Sequence, residues 1–235
     1  MDGAEVMRYA VYFAPPPGTL LHALGSRWLG RDSHSGEDLA QPAVAGLHGL
    51  TAEARRYGFH ATLKPPFAIR DGIGGEAILR AVAALAASEI PFEIGLRVAL
   101  LDGFMALLPD APCPALDALA ARCVRDLDGF RRPPPATELA RRRKAPLTQR
   151  QEENLERWGY PYVFEDFRFH MTLTERLADD QGGALVAAAN AHFEPALAQP
   201  VAIGGLTLFC EAGAGRPFLA IRHFPFQGSA AEAAE

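Results

Sequence analysis

The sequence lacks any apolar run near the roughly 20 residues that a membrane-spanning helix needs. Its longest apolar stretches, at residues 81–87 and 98–101, are far shorter. The N-terminal residues also lack a basic start followed by a long apolar segment, which is the pattern of a secretory signal. These absences predict a cytoplasmic protein with no membrane partner.

Cysteine is scarce, since Cys113, Cys123 and Cys210 form an odd set without C-x-x-C spacing. The odd number does not fit a disulfide framework, and the spacing does not fit a thiolate zinc site. Surplus positive charge is also missing, because the formal net charge is −5. A long nucleic acid is therefore an unlikely partner, whereas a small anion in a local basic pocket remains open.

The sequence does have the composition of an ordinary globular protein, with 49% hydrophobic and 22% charged residues. A chain of 235 residues is long enough to bury a sizeable core. Disordered and collagen-like classes are excluded by this composition. The length is compatible with one domain of two lobes or with two small domains.

A pentapeptide pattern occurs twice, as FHATL around His60 and as FHMTL around His170. In a strand, alternate residues face opposite sides, so His60 and Thr62 share one face while His170 and Thr172 share the corresponding face in the second copy. The same alternation puts Lys64 beside His60 and Arg168 beside His170. Each strand is therefore predicted to bury an apolar side and to turn a polar side towards a cleft between lobes.

The surroundings of the two patterns repeat as well. Each is followed by a predicted helix and then by a pair of strands, and the histidines are 170 − 60 = 110 residues apart, close to half the chain. Such spacing indicates an internal duplication with pseudo-two-fold geometry. The further predicted elements are a first strand at residues 8–13, helices near 19–29, 75–88, 114–127, 148–158 and 183–193, and a hairpin at Asp102-Gly103.

The residue types suit phosphate ester chemistry. Histidine has an ordinary pKa of about 6.5, so one member of a pair can act as a base while the other acts as an acid. The hydroxyls of Thr62 and Thr172 and the cations Lys64 and Arg168 are suited to phosphate oxygens. These groups predict a phosphodiester-cleaving site that requires no metal or other cofactor, with a cyclic phosphate as the natural substrate.

Two simpler interpretations compete with this one. A single H-x-T in a strand is commonly a structural histidine, but two occurrences at the same place of a repeated unit favour a shared function. Histidine is also a frequent metal ligand. However, the sequence has no H-x-H, no H-E-x-x-H and no carboxylate at the second or fourth position after either histidine, so metal catalysis is disfavoured.

The paired motifs HATL and HMTL resemble the two H-x-[TS]-x motifs of the two-histidine (2H, LigT-like) phosphoesterase superfamily. The segments RYAVYFAP, YGFHATLKPPF and RWGYPYVFEDFRFHMTLT are similar to its phosphonate-operon branch, described as phosphonate metabolism proteins. The likeness extends from about Arg8 to Phe226. This resemblance implies an α+β fold in which two antiparallel sheets line a central groove and helices lie outside.

The same resemblance implies a single bilobal domain over residues 1–235, with repeat units at about 50–110 and 160–226. It implies that His60 and His170 are the acid and the base, and that Thr62 and Thr172 bind phosphate. Known substrates of the superfamily include 2′,3′-cyclic nucleotides and RNA ends. For the phosphonate branch, the expected reaction is the hydrolytic opening of 5-phosphoribosyl 1,2-cyclic phosphate.

Further residues are candidate substrate contacts. Tyr12 and Tyr57 are predicted to stack on a sugar or base, with packing in the core as the alternative; Tyr9, Tyr160 and Tyr162 are open to the same two interpretations. The basic run Arg141–Lys144 either forms a lid that grips a second phosphate or is a solvated surface.

Two other functions remain open at this stage. The groove suits a non-catalytic module that binds a phosphosugar or nucleotide as a sensor. Cleavage or ligation at RNA termini is the other candidate, although the acidic net charge disfavours a broad RNA-binding face. Oligomeric state is not indicated.

Overall fold

The computed structural model describes residues 7–178 and 182–229. Within these ranges the chain alternates between helices and strands. The helices are α1 (Leu20–Leu29), α2 (Leu47–Leu50), α3 (Ala52–Tyr57), α4 (Gly75–Ala87), α5 (Pro114–Asp126), α6 (Ala136–Arg142), α7 (Gln149–Trp158) and α8 (Gly182–Leu197). The strands are β1 (Arg8–Phe13), β2 (Ala61–Ala68), β3 (Phe92–Ile94), β4 (Leu96–Leu101), β5 (Phe104–Pro109), β6 (Met171–Arg176), β7 (Val201–Ile203), β8 (Gly205–Glu211) and β9 (Phe218–Pro225).

Helix ends follow the expected capping chemistry. The Thr19 side chain accepts a hydrogen bond from His22 N at the start of α1, and Gly30 ends this helix in the left-handed conformation. Thr148 and Gln151 form a capping box at the start of α7. The five predicted helices are confirmed, with ends that differ by at most a few residues, whereas α2, α3 and α6 were not predicted.

The strands of the described residues form one seven-stranded antiparallel sheet, in the order β4-β5-β6-β2-β1-β8-β9, and one two-stranded sheet of β3 and β7. The predicted α+β class is confirmed. The arrangement differs from two sheets facing a groove, because the Ala61–Met171 pair joins the strands of both halves edge to edge. The two histidine-containing segments therefore lie side by side.

The two halves contain the same order of elements and exchange parts of them. Strand β2 is followed by α4, β3 and the β4–β5 hairpin, and β6 is followed by α8, β7 and the β8–β9 hairpin. Helix α4 of the first half packs on β8 and β9 of the second, while α8 of the second packs on β4 of the first. One apolar cluster accordingly contains residues of both halves, among them Ile78, Val82, Leu185 and Phe193.

The predicted hairpin at Asp102-Gly103 is confirmed. Asp102 has φ 48° and Gly103 has φ 89°, so both central residues have the positive φ of a two-residue type I′ turn. A side chain at Gly103 would also approach Arg176 Nη1 to within 2.7 Å. This tight turn brings β5 back beside β4, and β5 in turn pairs with β6.

Strand β2 continues through Pro65 and Pro66. The register with β1 shifts on either side of Val11, so that Val11 pairs with Lys64 whereas Tyr12 pairs with Thr62. Prolines are tolerated in a sheet at such bulges, because the ladder there needs no N–H donor.

Among residues 7–178 and 182–229, no helix combines the length and the apolar character required to cross a membrane. The cytoplasmic location stays a prediction.

Candidate functional site

The two H-x-T segments meet at the centre of the large sheet. Ala61 pairs with Met171 in antiparallel register. Extending this register by one residue on each side puts His60 opposite Thr172 and Thr62 opposite His170. All four side chains then share one face of the sheet, and the backbones of the two histidines are diagonal neighbours about 7–8 Å apart.

His60 is held by its neighbours along the chain. Its Nδ1 lies 2.8 Å from the Gly58 carbonyl oxygen, and its Nε2 lies 3.2 Å from Thr62 Oγ1. Since a carbonyl accepts hydrogen bonds, Nδ1 is the protonated nitrogen and Nε2 is free to accept from the threonine hydroxyl. The Tyr12 ring stacks on the imidazole with centroids 3.8 Å apart.

His170 has the equivalent arrangement. Its Nδ1 lies 2.7 Å from the Arg168 carbonyl oxygen, two residues earlier in the chain, as Gly58 is for His60. The edge of the ring packs near Phe104, with centroids 5.6 Å apart. The duplication thus repeats the tautomer as well as the motif, since both imidazoles donate through Nδ1 and have Nε2 as an acceptor.

The pKa values of both histidines are lowered. Burial lowers the pKa of His60 to about 4, the Gly58 carbonyl opposes this shift, and the nearby His170 adds to it. Burial also lowers the pKa of His170, while its hydrogen bond to the Arg168 carbonyl raises it. Both imidazoles are therefore neutral at pH 7, rather than one neutral and one charged as the sequence suggested.

The lowered pKa predicts a loss of stability in acid. The His60 pKa falls from 6.5 when unfolded to about 4 when folded, so the unfolded chain binds the proton more readily. The contribution of neutral His60 to the free energy of unfolding is fully present above pH 6.5. It decreases by up to about 3 kcal/mol as the pH falls towards 4. Urea unfolding of the natural protein and of His60→Gln at pH 7 and pH 4 measures it. The decrease in the free energy of unfolding between pH 7 and pH 4 should be smaller in His60→Gln. An equal decrease in both proteins would contradict a lowered pKa of His60.

A cleft of about 660 Å³ opens beside these histidines. Thr62, His170 and Arg168 line it, together with the rings of Phe104 and Tyr160. The Arg168 side chain is 65% exposed, and its Nη1 lies 3.3 Å from Asp102 Oδ2 at the rim. This weak, exposed ion pair leaves the guanidinium available to an anion.

Lys64 lies elsewhere, although alternation assigned it to the face of His60. Its side chain is 2% exposed, and Nζ donates to the Val124 carbonyl oxygen at 3.1 Å and lies 3.7 Å from an Asp128 carboxylate oxygen. The β-bulge after Thr62 explains this position. Lys64 pairs with Val11 and lies on the face of Val11, whereas Thr62 pairs with Tyr12 on the opposite face. Burial lowers the pKa of Lys64 to about 8.

The two tyrosines named from the sequence lie near His60 rather than in the open cleft. Tyr12 is 1% exposed and stacks on the His60 imidazole, so its ring is not open to the cleft. The Tyr57 hydroxyl accepts a hydrogen bond from Arg56 Nη2 at 2.6 Å, and its ring stacks on Phe218. Burial raises the pKa of Tyr12, which keeps its hydroxyl neutral.

The basic run Arg141–Lys144 begins in the last turn of α6 and continues beyond it. The Arg142 guanidinium carbon lies 4.6 Å from the centroid of the Tyr160 ring, which lines the cleft. This contact ties the segment to the cleft wall. A lid function for it stays a prediction.

Sequence reasoning did not identify Phe104 and Asp102 as cleft residues. Both belong to the β4–β5 hairpin of the first half, which packs beside β6 of the second half. The only signal was the turn at Asp102-Gly103, which predicts a hairpin but not its neighbour in the sheet. The described residues contain no group of three or more histidine, cysteine, aspartate or glutamate side chains that could hold a metal ion.

Two curated relatives are similar over most of this chain. It is 41% identical over 238 residues to the ribose 1,5-bisphosphate phosphokinase PhnN of Janthinobacterium sp. (strain Marseille), covering 97% of the chain and 52% of that protein. It is 41% identical over 214 residues to the protein of the same name from Laribacter hongkongensis (strain HLHK9), covering 90% of the chain and 50% of that protein. The chain thus spans about half the length of these relatives.

These names correct the function expected from the sequence. The predicted activity was that of a cyclic phosphodiesterase, which is a hydrolase, whereas both relatives are named for a phosphokinase, which transfers a phosphoryl group. The prediction of a hydrolase is therefore wrong on this comparison. A motif specifies which groups are present, and the same groups serve different reactions in different proteins.

The predicted association with phosphonate metabolism is supported by the PhnN designation of both relatives. The profile of a family described as "Protein of unknown function (DUF1045)" matches residues 62–219. This match spans more than half of the 235 residues and includes the second H-x-T motif. The chain therefore belongs to the DUF1045 family.

Proposed function

We propose that the cleft beside His60 and His170 binds a phosphorylated ribose, and that ribose 1,5-bisphosphate is its ligand. The observation that carries the proposal is the Ala61–Met171 pair, which brings both H-x-T segments to one face of the sheet. Support for the ligand comes from the name of the two relatives, which are ribose 1,5-bisphosphate phosphokinases.

The donors and acceptors of the cleft match such a ligand. The Arg168 guanidinium in the cleft wall is a donor for phosphate oxygens, and the Thr172 hydroxyl on the same face of the sheet is a further donor. The Nε2 atom of neutral His170, which lines the cleft, can accept a hydrogen bond from a ribose hydroxyl, whereas Nε2 of His60 accepts from the Thr62 hydroxyl. The volume of about 660 Å³ lies within the range of small-molecule sites. One face of the sheet thus offers partners for both the phosphates and the sugar.

We further propose that this chain contributes sugar-phosphate binding, and not phosphoryl transfer at a phosphate-binding loop, to the activity of its longer relatives. The sequence contains only two lysines, Lys64 and Lys144, which precede Pro65 and Ala145. Neither therefore belongs to the Gly-Lys-Ser/Thr sequence of such a loop. The relatives are about twice as long as this chain, which leaves room for transfer by their other half.

We also propose that the chain shares the architecture of the two-histidine superfamily, without its hydrolytic activity. The duplicated order of elements and the equivalent hydrogen bonds of His60 and His170 support this relationship.

Calorimetric titration of the protein with ribose 1,5-bisphosphate tests the proposed ligand. We expect saturable binding, weakened about 10-fold or more in His170→Ala, because this variant loses a hydrogen bond to the ligand, and weakened less in His60→Ala, because His60 contacts the cleft through Thr62. His48→Ala is the matched control, since His48 bonds to Gln41 and Arg55 and does not line the cleft. Ribose without phosphate should bind far more weakly.

Two results would contradict the proposal. Absence of binding, or equal affinity of His170→Ala and the His48→Ala control, would remove the cleft as the site. Formation of ADP when ATP is added with ribose 1,5-bisphosphate would show that the chain itself transfers phosphoryl groups, contrary to the proposed division of roles.

A further inference from the structure

A second cavity, of about 740 Å³, lies apart from the histidine cleft. Its distinguishing feature is the set of guanidinium groups in its wall. We call it the arginine pocket, defined by Arg8, Arg56, Arg131, Arg132 and Arg141. These residues come from β1, from α3, from the segment before α6 and from α6 itself, so the fold gathers them from four parts of the chain.

A buried carboxylate orients two of these arginines. Glu211 is 0% exposed and accepts from Arg8 Nε at 2.5 Å and from Arg56 Nη1 at 3.0 Å. It also accepts from the backbone N–H of Gly215, which lines the same pocket, at 3.1 Å. One negative charge therefore fixes two guanidinium groups, and each has further N–H donors.

The other arginines are also held in place. The backbone N–H of Arg132 donates to the Ala68 carbonyl oxygen at 2.8 Å, and Arg131 forms a β-bridge with Ile69 at the end of β2. The Arg131 side chain donates to Asp128 at 2.7 Å. Its neighbour Arg132 lies on the pocket wall with a side chain that is 42% exposed and pairs with the exposed Asp71.

The pocket wall combines guanidinium groups with an apolar side. Five arginines line it together with the carboxylates of Glu53 and Glu138. The other carboxylates that pair with these arginines are Glu211, Asp128 and Asp71, which are not among the lining residues. Phe67 and the run Pro133–Pro135 form the apolar side. Convergent, oriented guanidinium groups are the arrangement that proteins use to bind phosphate oxygens in pairs.

We propose that the arginine pocket is a second anion site, which binds the phosphate group of a small phosphorylated molecule independently of the histidine cleft. Arg8 is four residues from Tyr12 on β1, and Tyr12 pairs with Thr62. At about 3.3 Å per residue, the backbone of Arg8 lies about 13 Å along the strand from that pair. The pocket thus recognises its own phosphate group and does not depend on the ligand proposed for the cleft.

The test is calorimetric titration of the intact protein with pyrophosphate, ribose 5-phosphate and ADP, each at low and high salt. We expect pyrophosphate to bind, at least 10-fold more weakly in Arg56→Gln and in the double variant Arg132→Gln/Arg141→Gln. The double variant changes exposed side chains, since Arg141 is 63% exposed, and so it serves if loss of the Arg56–Glu211 contact disturbs folding. Arg122→Gln is the charge-matched control, because Arg122 is 40% exposed on α5 outside the pocket.

The three ligands distinguish the source of the phosphate. Tighter binding of ADP than of pyrophosphate supports the proposal and indicates that the adenine base packs on the apolar side of the pocket. Equal binding of the two supports recognition of the phosphate groups alone. Retention of pyrophosphate binding in His60→Ala supports independence from the cleft. Failure of all three ligands to bind at about 1 mM, or an equal loss in Arg122→Gln, overturns the proposal.

Discussion

Replacement of Glu211 by glutamine is expected to lower the free energy of unfolding by about 3 kcal/mol. Glu211 is 0% exposed and is the carboxylate shared by Arg8 and Arg56, whose side chains are only 21% and 24% exposed. The neutral amide keeps the shape of the side chain but leaves two largely desolvated cations without their counter-charge. Removing one partner of a buried ion pair costs more than the pair contributes, because the remaining charge cannot recover its water.

Urea unfolding followed by circular dichroism measures this loss. The matched control is Glu156→Gln, because Glu156 is 66% exposed and pairs with Arg143 on the surface. Exposed pairs contribute little, so the control should change stability by less than about 0.5 kcal/mol. If Glu211→Gln were as mild as the control, Glu211 would not be the residue that orients the arginine pocket.

Gly58→Ala is expected to cost about 2–5 kcal/mol and to displace His60. Gly58 has φ 83° and ψ 174°, a conformation that is essentially restricted to glycine. An added Cβ would lie 2.4 Å from Ser33 Cβ and 2.8 Å from Ser33 Oγ. Ser33 is 3% exposed and has little room to move away, so steric overlap adds to the backbone strain.

The variant Gly72→Ala separates the cost of backbone strain from the cost of steric overlap. Gly72 has φ 84°, close to that of Gly58, but an added Cβ there would meet nothing within 4 Å. This control should cost only the backbone strain of about 1–2 kcal/mol. Equal effects at the two positions, measured by urea unfolding, would show that the contact with Ser33 is unimportant. Because the Gly58 carbonyl fixes His60 Nδ1, Gly58→Ala should also weaken ligand binding in the cleft, unlike Gly72→Ala.

Local patterns in the sequence were sufficient for much of the fold. Helical spacing and capping residues located α1, α4, α5, α7 and α8, and the Asp102-Gly103 dipeptide located a hairpin. Alternation within the H-x-T motifs predicted that each histidine and its threonine share a face, and the strand register agrees with this prediction. These features depend on neighbours along the chain, which a single sequence displays directly.

Features that depend on neighbours across the sheet were not predictable in this way. The register shift between β1 and β2 turns Lys64 into the interior, and nothing in the residues around it announces the shift. Phe104 reaches the cleft because β5 pairs with β6, a contact between halves that neither strand encodes alone. The short helix α3 contributes Arg56 to the arginine pocket, and six residues are too few to show a helical period.

The motif also predicted which side chains form the site more reliably than it predicted which reaction they serve. Two imidazoles and two threonines on one face suit a phosphorylated ligand, but the same groups are compatible with hydrolysis, transfer or binding alone. The phosphokinase name of the relatives narrowed this choice, which the sequence could not do.

The exchange of α4 and α8 between the two halves has a consequence for assembly. Helix α4 of the first half covers β8 and β9 of the second half, and α8 of the second half covers β4 of the first, so each half contributes to the interior of the other. If the two halves were separate chains, their association would cost translational entropy, and fewer of them would be associated at lower protein concentration. The covalent connection makes the encounter intramolecular, and the association of the halves does not depend on protein concentration.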